Sequence, residues 1–341
     1  MPINENGHAI EFVGGRCEGF VMDSGTTKVD FNLPSKFFKP WEKTIDSWKS
    51  AINWIDIVQE YSRNRSMVWR GVSNADYPLH SSLYRNLYEL PKKVTEDELS
   101  RYENKFIDLA RKRWRFDGID ALELMAQLQH FGAPTRLIDV TYNPLIGLWF
   151  ACRDGQDGIG AHDGRLFAFD VSKRDFTLDG NWNQSKLPWS DKNLISKKQW
   201  HSTTPQVWRP PSYIERIAAQ NAAFLIGGVP SVQTGQNAVF RKGPGDGSTM
   251  GTWKIDEVQA VTSVFIRMTA LNSRVNSRST PTYTFRIKRH QKELIRDVLD
   301  KQFGINVSAL FPEVSGMAQF IKEEAYSQLG IRHPSRSKLR D

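Results

Sequence analysis

The stretch QLQHFGAPTRLIDVTYNPLIGLWFACRDG, residues 127–155, decides how the chain is read. His130, Thr135, Arg136, Asp139 and Thr141 fall close together in it, among Leu137, Ile138, Leu145, Ile146, Leu148, Trp149 and Phe150. Charges in so apolar a run are costly unless they are paired or used. Upstream, DALELMAQLQHFG (120–132) is nearly apolar all round, which predicts a buried helix. Gly132 suits its C-terminal cap and Pro134 blocks its continuation. Downstream, PLIGLWFACRD (144–154) reads as a buried helix or strand, with helix the favoured reading. The polar groups therefore sit on a turn between buried elements. Two readings stand: a polar knot pinning a helix–strand junction, or the floor of a pocket. His130, at a helix C-terminus, would be favoured there as a cation.

Working outward, residues 44–63 predict an amphipathic helix, with Thr44 and Asp46 at its cap and Ile45, Trp48, Ile52, Ile55 and Val58 on one face. Residues 95–116 predict another, opened by the Thr95/Glu98 capping-box pattern. Strands are expected at 66–71, 164–171, 222–229 and 260–268. PTYTFRIKR (281–289) alternates, placing Tyr283, Phe285 and Ile287 inward and Thr284, Arg286 and Lys288 outward. Residues 289–304 read as a helix with Leu294, Ile295, Val298, Leu299 and Phe303 inward, and 315–330 as the last helix. HAIEFVGG and GFVMDSG, within 1–40, suit a short hairpin. Helices come first and strands dominate later, which argues an α+β fold: a helical N-terminal half packed on a mixed, mostly antiparallel sheet. The expected division is an N-terminal segment (1–43), one domain (44–330) with loop insertions near 172–213 and 233–253, and a basic tail (331–341).

The 341 residues are 39% hydrophobic and 11% aromatic, with 11 Trp, which suits a globular chain with ample core material. The formal net charge is +8. Nine Lys/Arg face three Asp/Glu over 265–301, and six face two over 101–116. Clustered positive charge suits a polyanionic partner. Arg111, Lys112 and Arg113, with Arg286, Lys288 and Arg289, are the candidate nucleic-acid contacts. Trp182, Trp189, Trp200 and Trp208 could stack on bases or pack a long loop. Two cysteines exclude a disulfide framework and a Cys-based zinc site. The polar start is no signal peptide and no run is long enough for a membrane helix, so a cytoplasmic chain without membrane contact is expected.

Three segments carry candidate chemistry. In VWRGVSNADYPLHSSLYR (68–85), Arg70 ends a strand beside Gly71, and His80, Ser81, Ser82 and Arg85 follow on a loop. Arg70 either clamps a phosphate or carboxylate or pairs with an acid such as Asp139. The second segment is the opening one. In PSYIERIAAQNAAFLIGG (211–228), Glu215, Arg216 and Gln220 precede a buried strand. A carboxylate or amide there could orient a ribose hydroxyl, or form part of a solvated Glu/Arg pair. Walker A, GxSxG and HExxH patterns are missing, so no phosphate loop, serine-hydrolase elbow or zinc-hydrolase helix is indicated. A nuclease built on Asp139 and Asp170 ranks last, for want of metal-ligand spacing.

Together the three segments resemble the FRG domain, a bacterial and phage-associated family. Trp69-Arg70-Gly71 is similar to its aromatic-Arg-Gly motif, and His130 to Asp139 to its most recognisable block. FGINVSALFPEVSGMAQFIKE (303–323) resembles its end, so the likeness spans roughly 45–325. QNAAF departs from the pattern, with Ala222 where a glycine is usual.

The family setting implies anti-phage defence or a toxin–antitoxin pair, the latter with an antitoxin protein as partner. A more distant resemblance to ADP-ribosyltransferases implies a split sheet and NAD as co-substrate. By that likeness Arg70 would grip NAD beside Gly71, with Ser81 and Ser82 near the nicotinamide. Glu215 or Gln220 would orient the ribose, with Glu257 also open. Arg136 and Asp139 would support the pocket structurally, and His130 or Thr135 would reach its edge. The basic surface would suit a nucleic-acid acceptor, RNA before DNA. The alternative is a non-catalytic nucleic-acid- or partner-binding module of phage defence.

Overall fold

Three glycines and an alanine set how the centre of the fold packs. Gly71 and Gly164 lie on strands, Gly147 and Ala151 one turn apart on a helix. A Cβ at Gly71 would stand 2.0 Å from the Gly147 carbonyl oxygen, and one at Gly164 2.1 Å from that of Ala151. The helix therefore lies directly on the strand backbones. The computed structural model describes residues 32–321, except 63–64, 91–92, 154–160, 173–174, 177–185, 191–199, 201–202, 212–214, 232–239, 245–250, 272–280, 315 and 319–320. The chain divides into two units, of which the second, from Phe31, carries everything below. The expected hairpin within 1–40, the basic tail and most of the 315–330 helix lie outside the described residues.

The strands are β1 (Lys43–Ile45), β2 (Met67–Val72), β3 (Ile138–Thr141), β4 (Gly164–Asp170), β5 (Asp175–Phe176), β6 (Gln206–Trp208), β7 (Ala222–Ile226), β8 (Arg267–Met268) and β9 (Pro281–Ile287). They run β1-β9-β4-β2-β3-β7-β6-β5, with β8 beside β9. Pairing is antiparallel except at β1/β9, β8/β9 and β5/β6. The expected α+β class and mixed, mostly antiparallel sheet are what the chain adopts. β2 pairs six residues of β4 but meets β3 at one, Trp69 with Thr141. The sheet is thin there and parts beyond it.

The helices are α1 (Leu33–Phe38), α2 (Trp48–Tyr61), α3 (Ser82–Tyr88), α4 (Glu96–Trp114), α5 (Ala121–His130), α6 (Pro144–Cys152), α7 (Glu215–Ala219), α8 (Ile255–Val261), α9 (Lys292–Phe303) and α10 (Val307–Leu310). Residues paired across strands share a face. Trp69, Leu166 and Phe285 of one half pack with Ile55 of α2, Trp149 of α6 and Ile295 of α9. Trp208, Phe224 and Ile226 of the other half pack with Ile107 of α4 and Met125 of α5. The opposite face joins both halves: Val68, Phe167, Val140 and Leu225 under Phe38 and Val258.

Several local expectations are corrected. The helix expected over 44–63 starts at Trp48, because Ser47 and Ser50 form the capping box and Thr44 belongs to β1. Ile52, Leu294 and Phe303 are exposed rather than inward. The strand expected over 260–268 is α8 followed by the two-residue β8. Lys254 N–H donates to Glu257 Oε2 (2.7 Å) at the helix start, and Val258 and Val261 are buried, which outweighs the β-propensity of the segment. The loop expected after Tyr77 contains α3, which Ser81 caps by accepting from the Tyr84 N–H. Thr284 and Arg286 do not face solvent. Arg286 lies 3.2 Å from both Glu42 and Asp163, beside the buried Arg165 that pairs with Glu42 at 2.8 Å.

Candidate functional site

Arg70 sits where β2 and β3 separate. Continuing the Trp69/Thr141 register would set Gly71 opposite Asp139, but no such pairing forms. Instead the Arg70 Nη1–H donates to the Asp139 carbonyl oxygen at 2.6 Å, satisfying an acceptor that the parted ladder leaves free. The Asp139 carboxylate stands 4.0 Å from the same nitrogen and is 68% exposed. Arg70 Nε is buried and has no hydrogen-bond partner. The Arg70 pKa lies below the ordinary arginine value; burial is the main cause, Asp139 opposes it and Arg85 adds to it.

The rim is a continuous chain of hydrogen bonds. Gln129 Nε2–H donates to Asp139 Oδ1 (2.8 Å). Thr135 Oγ1–H donates to Gln129 Oε1, and Thr135 Oγ1 accepts from the Leu137 N–H (3.1 Å). The Thr135 N–H donates to Ser82 Oγ (2.9 Å), whose hydroxyl donates back to the Thr135 carbonyl (3.2 Å). α3 is thus tied to the turn before β3. Arg85 lies one turn beyond Ser82, exposed, its side chain making no hydrogen bond or ion pair to any described residue.

Arg136 turns the other way. It is buried, with Nε 2.7 Å and Nη2 2.7 Å from Glu103, Nη1 2.6 Å from Glu96, and its guanidinium 4.3 Å from the Trp189 ring centroid. Trp189 Nε1–H donates to Glu103 (2.8 Å), and the Val229 N–H to Glu96 (2.9 Å). Burial by itself would lower the Arg136 pKa; Glu103, then Glu96, outweigh it and hold it above the ordinary value. This network pins the signature turn to α4. The two arginines nearest the turn therefore differ: Arg136 closes a buried knot, and Arg70 lies partly exposed where β2 and β3 stop pairing.

Other candidates fall elsewhere. Gly71 approaches α6, not a ligand: a Cβ there would meet Gly147 and Ala151 backbone, so its small size serves helix packing. Ser81 is buried, capping α3 and accepting no ligand-facing role in its bonds to Tyr84 and Ser263. His130 ends α5, half-buried, edge-on to the exposed Phe131. Glu215 is exposed at the start of α7. Gln220 is buried, its amide donating to the Leu310 carbonyl (3.0 Å) and its own carbonyl accepting from Thr141 Oγ1–H (2.7 Å). Neither side chain contacts Arg70. Glu257 is spent on its helix cap.

The two basic clusters also separate. Lys112 faces Asp108 at 3.6 Å and Arg113 is exposed, while Arg111 donates to the Ile119 carbonyl (3.2 Å). Arg286 is held by carboxylates, Lys288 stands 3.6 Å from Asp163, and the Arg289 N–H donates to that same carboxylate (2.9 Å). Trp189, Trp200 and Trp208 are core residues, so the base-stacking reading of the loop does not apply to them; Trp182 lies outside the described residues. Asp170 bonds Arg65, and no group of three metal-ligating side chains occurs among the described residues.

Sequence reasoning gave no role to Arg85, Gln129, Glu96 or Glu103. Glu96, Ser100 and Glu103 follow i, i+4, i+7 spacing, a polar stripe on an otherwise amphipathic helix, and that was the signal for Arg136's partners. Nothing local marks Gln129.

No curated protein and no solved structure matches the chain. Residues 65–158 match the family model of the FRG domain, a narrower span than the 45–325 over which the sequence resembles it. The matched span runs from just before β2 to just after α6 and contains Arg70, Ser82, Arg85, Gln129, Thr135 and Asp139. The stretch that is similar to the FRG domain wholly contains the point where β2 and β3 stop pairing, with both arginines.

Proposed function

We propose that the chain is a NAD-dependent ADP-ribosyltransferase that modifies a nucleic acid, RNA before DNA, in a defence or toxin–antitoxin role. Arg70 carries the reading: a guanidinium at the point where the sheet parts, its Nε buried and unpartnered, its counter-charge a 4.0 Å contact to an exposed carboxylate. Such a group can take an anion bidentately. The resemblance of Trp69-Arg70-Gly71 to the transferase strand motif supports NAD as that anion's source. In the reaction the bond from ribose C1′ to nicotinamide breaks, the acceptor atom bonds C1′, and nicotinamide leaves as the acceptor loses its proton.

The test is incubation with labelled NAD and total RNA, DNA and protein. Label should pass to nucleic acid, and Arg70→Ala should abolish transfer while remaining folded. A folded Arg70→Ala protein with full transfer sinks the reading.

A second reading, a non-catalytic binding module of phage defence, draws on the placement of Glu215 and Gln220. Neither meets Arg70, and the Gln220 amide is committed to Leu310. This reading expects salt-sensitive nucleic-acid binding without NAD turnover.

A further inference from the structure

We propose that Arg85 is the second jaw of a two-arginine clamp for a nucleotide diphosphate, and that the Asp139 carboxylate holds the ligand's place on Arg70 until it binds. The inference rests on reading the Arg70 gap as an anion site, and it names the group taken there. Arg70 comes from a strand and Arg85 from a helix, and the hydrogen bonds through Asp139, Gln129, Thr135 and Ser82 join the two elements. Both cations have unspent donors: Arg70 Nε is buried without a partner, and the Arg85 guanidinium bonds no described residue. The two charges sense each other, since Arg85 contributes to the lowered Arg70 pKa. Like charges held near one another are unfavourable, and an anion with two charged centres relieves that more fully than one carboxylate at 4.0 Å from Arg70.

A diphosphate fits better than a monophosphate, because two guanidinium forks on separate elements can each take one phosphoryl group. It fits better than a nucleic-acid backbone, because the Arg70 side chain is only 22% exposed, recessed in the gap. Asp139 is the neighbour that must yield. Its carboxylate lies 4.0 Å from Arg70 Nη1 without closing a hydrogen bond, and Gln129 keeps hold of its other oxygen.

The experiment is titration calorimetry on the full chain with ADP, inorganic pyrophosphate, AMP and adenosine. ADP and pyrophosphate should bind, AMP more weakly and adenosine not at all. Arg85→Ala should weaken ADP binding about ten-fold or more, the usual cost of losing a charged contact, with an unchanged melting temperature. Asp139→Asn should tighten it. ADP binding of equal strength in Arg85→Ala, AMP binding as tightly as ADP, or no binding of ADP and pyrophosphate would each overturn the clamp. Displacement of ADP by a single-stranded oligonucleotide would move the anion to a nucleic-acid backbone and overturn the nucleotide assignment. The two proposals separate cleanly: NAD label transfer that Arg85→Ala leaves intact removes the clamp alone, and Arg85-dependent ADP binding without transfer removes the transferase alone.

Discussion

At the scale of single residues, the pair Arg70-Gly71 divides its labour. The arginine faces the gap beside β3, and the glycine admits α6. Gly71→Ala places a methyl group 2.0 Å from a helix carbonyl, and the obstacle is backbone rather than a side chain that can swing away. The expected cost is about 1–3 kcal/mol or more, as for other overpacked cores. Urea unfolding reads it as a lower midpoint at constant m value; an unchanged midpoint would show that α6 is free to shift. The presence of a glycine was plain from the sequence, but its purpose was not, because the helix it meets lies 76 residues away, at Gly147.

At the scale of elements, α4 is fastened to the signature turn by charge buried with Arg136. Removing one partner of such a pair leaves an uncompensated charge, which typically costs about 3–5 kcal/mol. Glu103→Gln should show a loss of that order in chemical denaturation. Replacing Glu103 and Arg136 together with apolar residues should cost less than the two single changes summed, because the groups act on one another. Strict additivity would mean that the Trp189 and Glu96 contacts carry the site instead. α3 shows the same dependence on a remote partner. Its sequence, SLYRNLY, opens with a fitting cap at Ser81, yet what gives the helix its position is the Ser82/Thr135 exchange across 53 residues. Thr135→Val breaks the rim hydrogen-bond chain in its middle, at the hydroxyl that joins Gln129, and leaves the backbone bonds to Ser82. It should weaken anion binding at Arg70 more than it lowers the melting temperature, read by titration and thermal melts on the same sample.

At the scale of the whole molecule, acid should destabilise the fold through His80. Its ring is buried, with Nε2 2.9 Å from the Gln259 carbonyl, an acceptor that requires Nε2 to carry the proton. Burial pushes its pKa down to about 3; the Gln259 bond opposes this and Arg85 adds to it. Between about pH 6.5 and 3 the unfolded chain therefore binds a proton that the folded chain refuses. Stability is fully present above that window and falls as pH drops through it, by at most about 1.4 kcal/mol per pH unit from this group. Unfolding free energies of the native protein and His80→Gln at pH 7, 5.5 and 4.5 test it. The variant keeps an N–H donor without titrating, so its slope should be flatter; equal slopes would place the acid sensitivity elsewhere. No helix among the described residues is long and apolar enough to cross a membrane.

The sequence by itself determined the local matters. The buried helices α5 and α6, the fully buried strand β4, the Thr95 cap, the α+β class and the FRG block were all legible, because periodicity, capping and motif spacing act over a few neighbours. It misplaced the start of α2, took α8 for a strand and left α3 in a loop, since burial against distant elements overrides weak propensity there. What only the tertiary structure decided is which charges face one another. Arg136 and Arg286 look as available in sequence as Arg70 and Arg85, yet the first two are held closely by carboxylates from other elements, Arg70 has only the exposed Asp139 at 4.0 Å, and the Arg85 side chain pairs with no described residue. Charge pairing is a relation between elements distant in the chain, and β3 fixes it by pairing fully with β7 while touching β2 at a single residue.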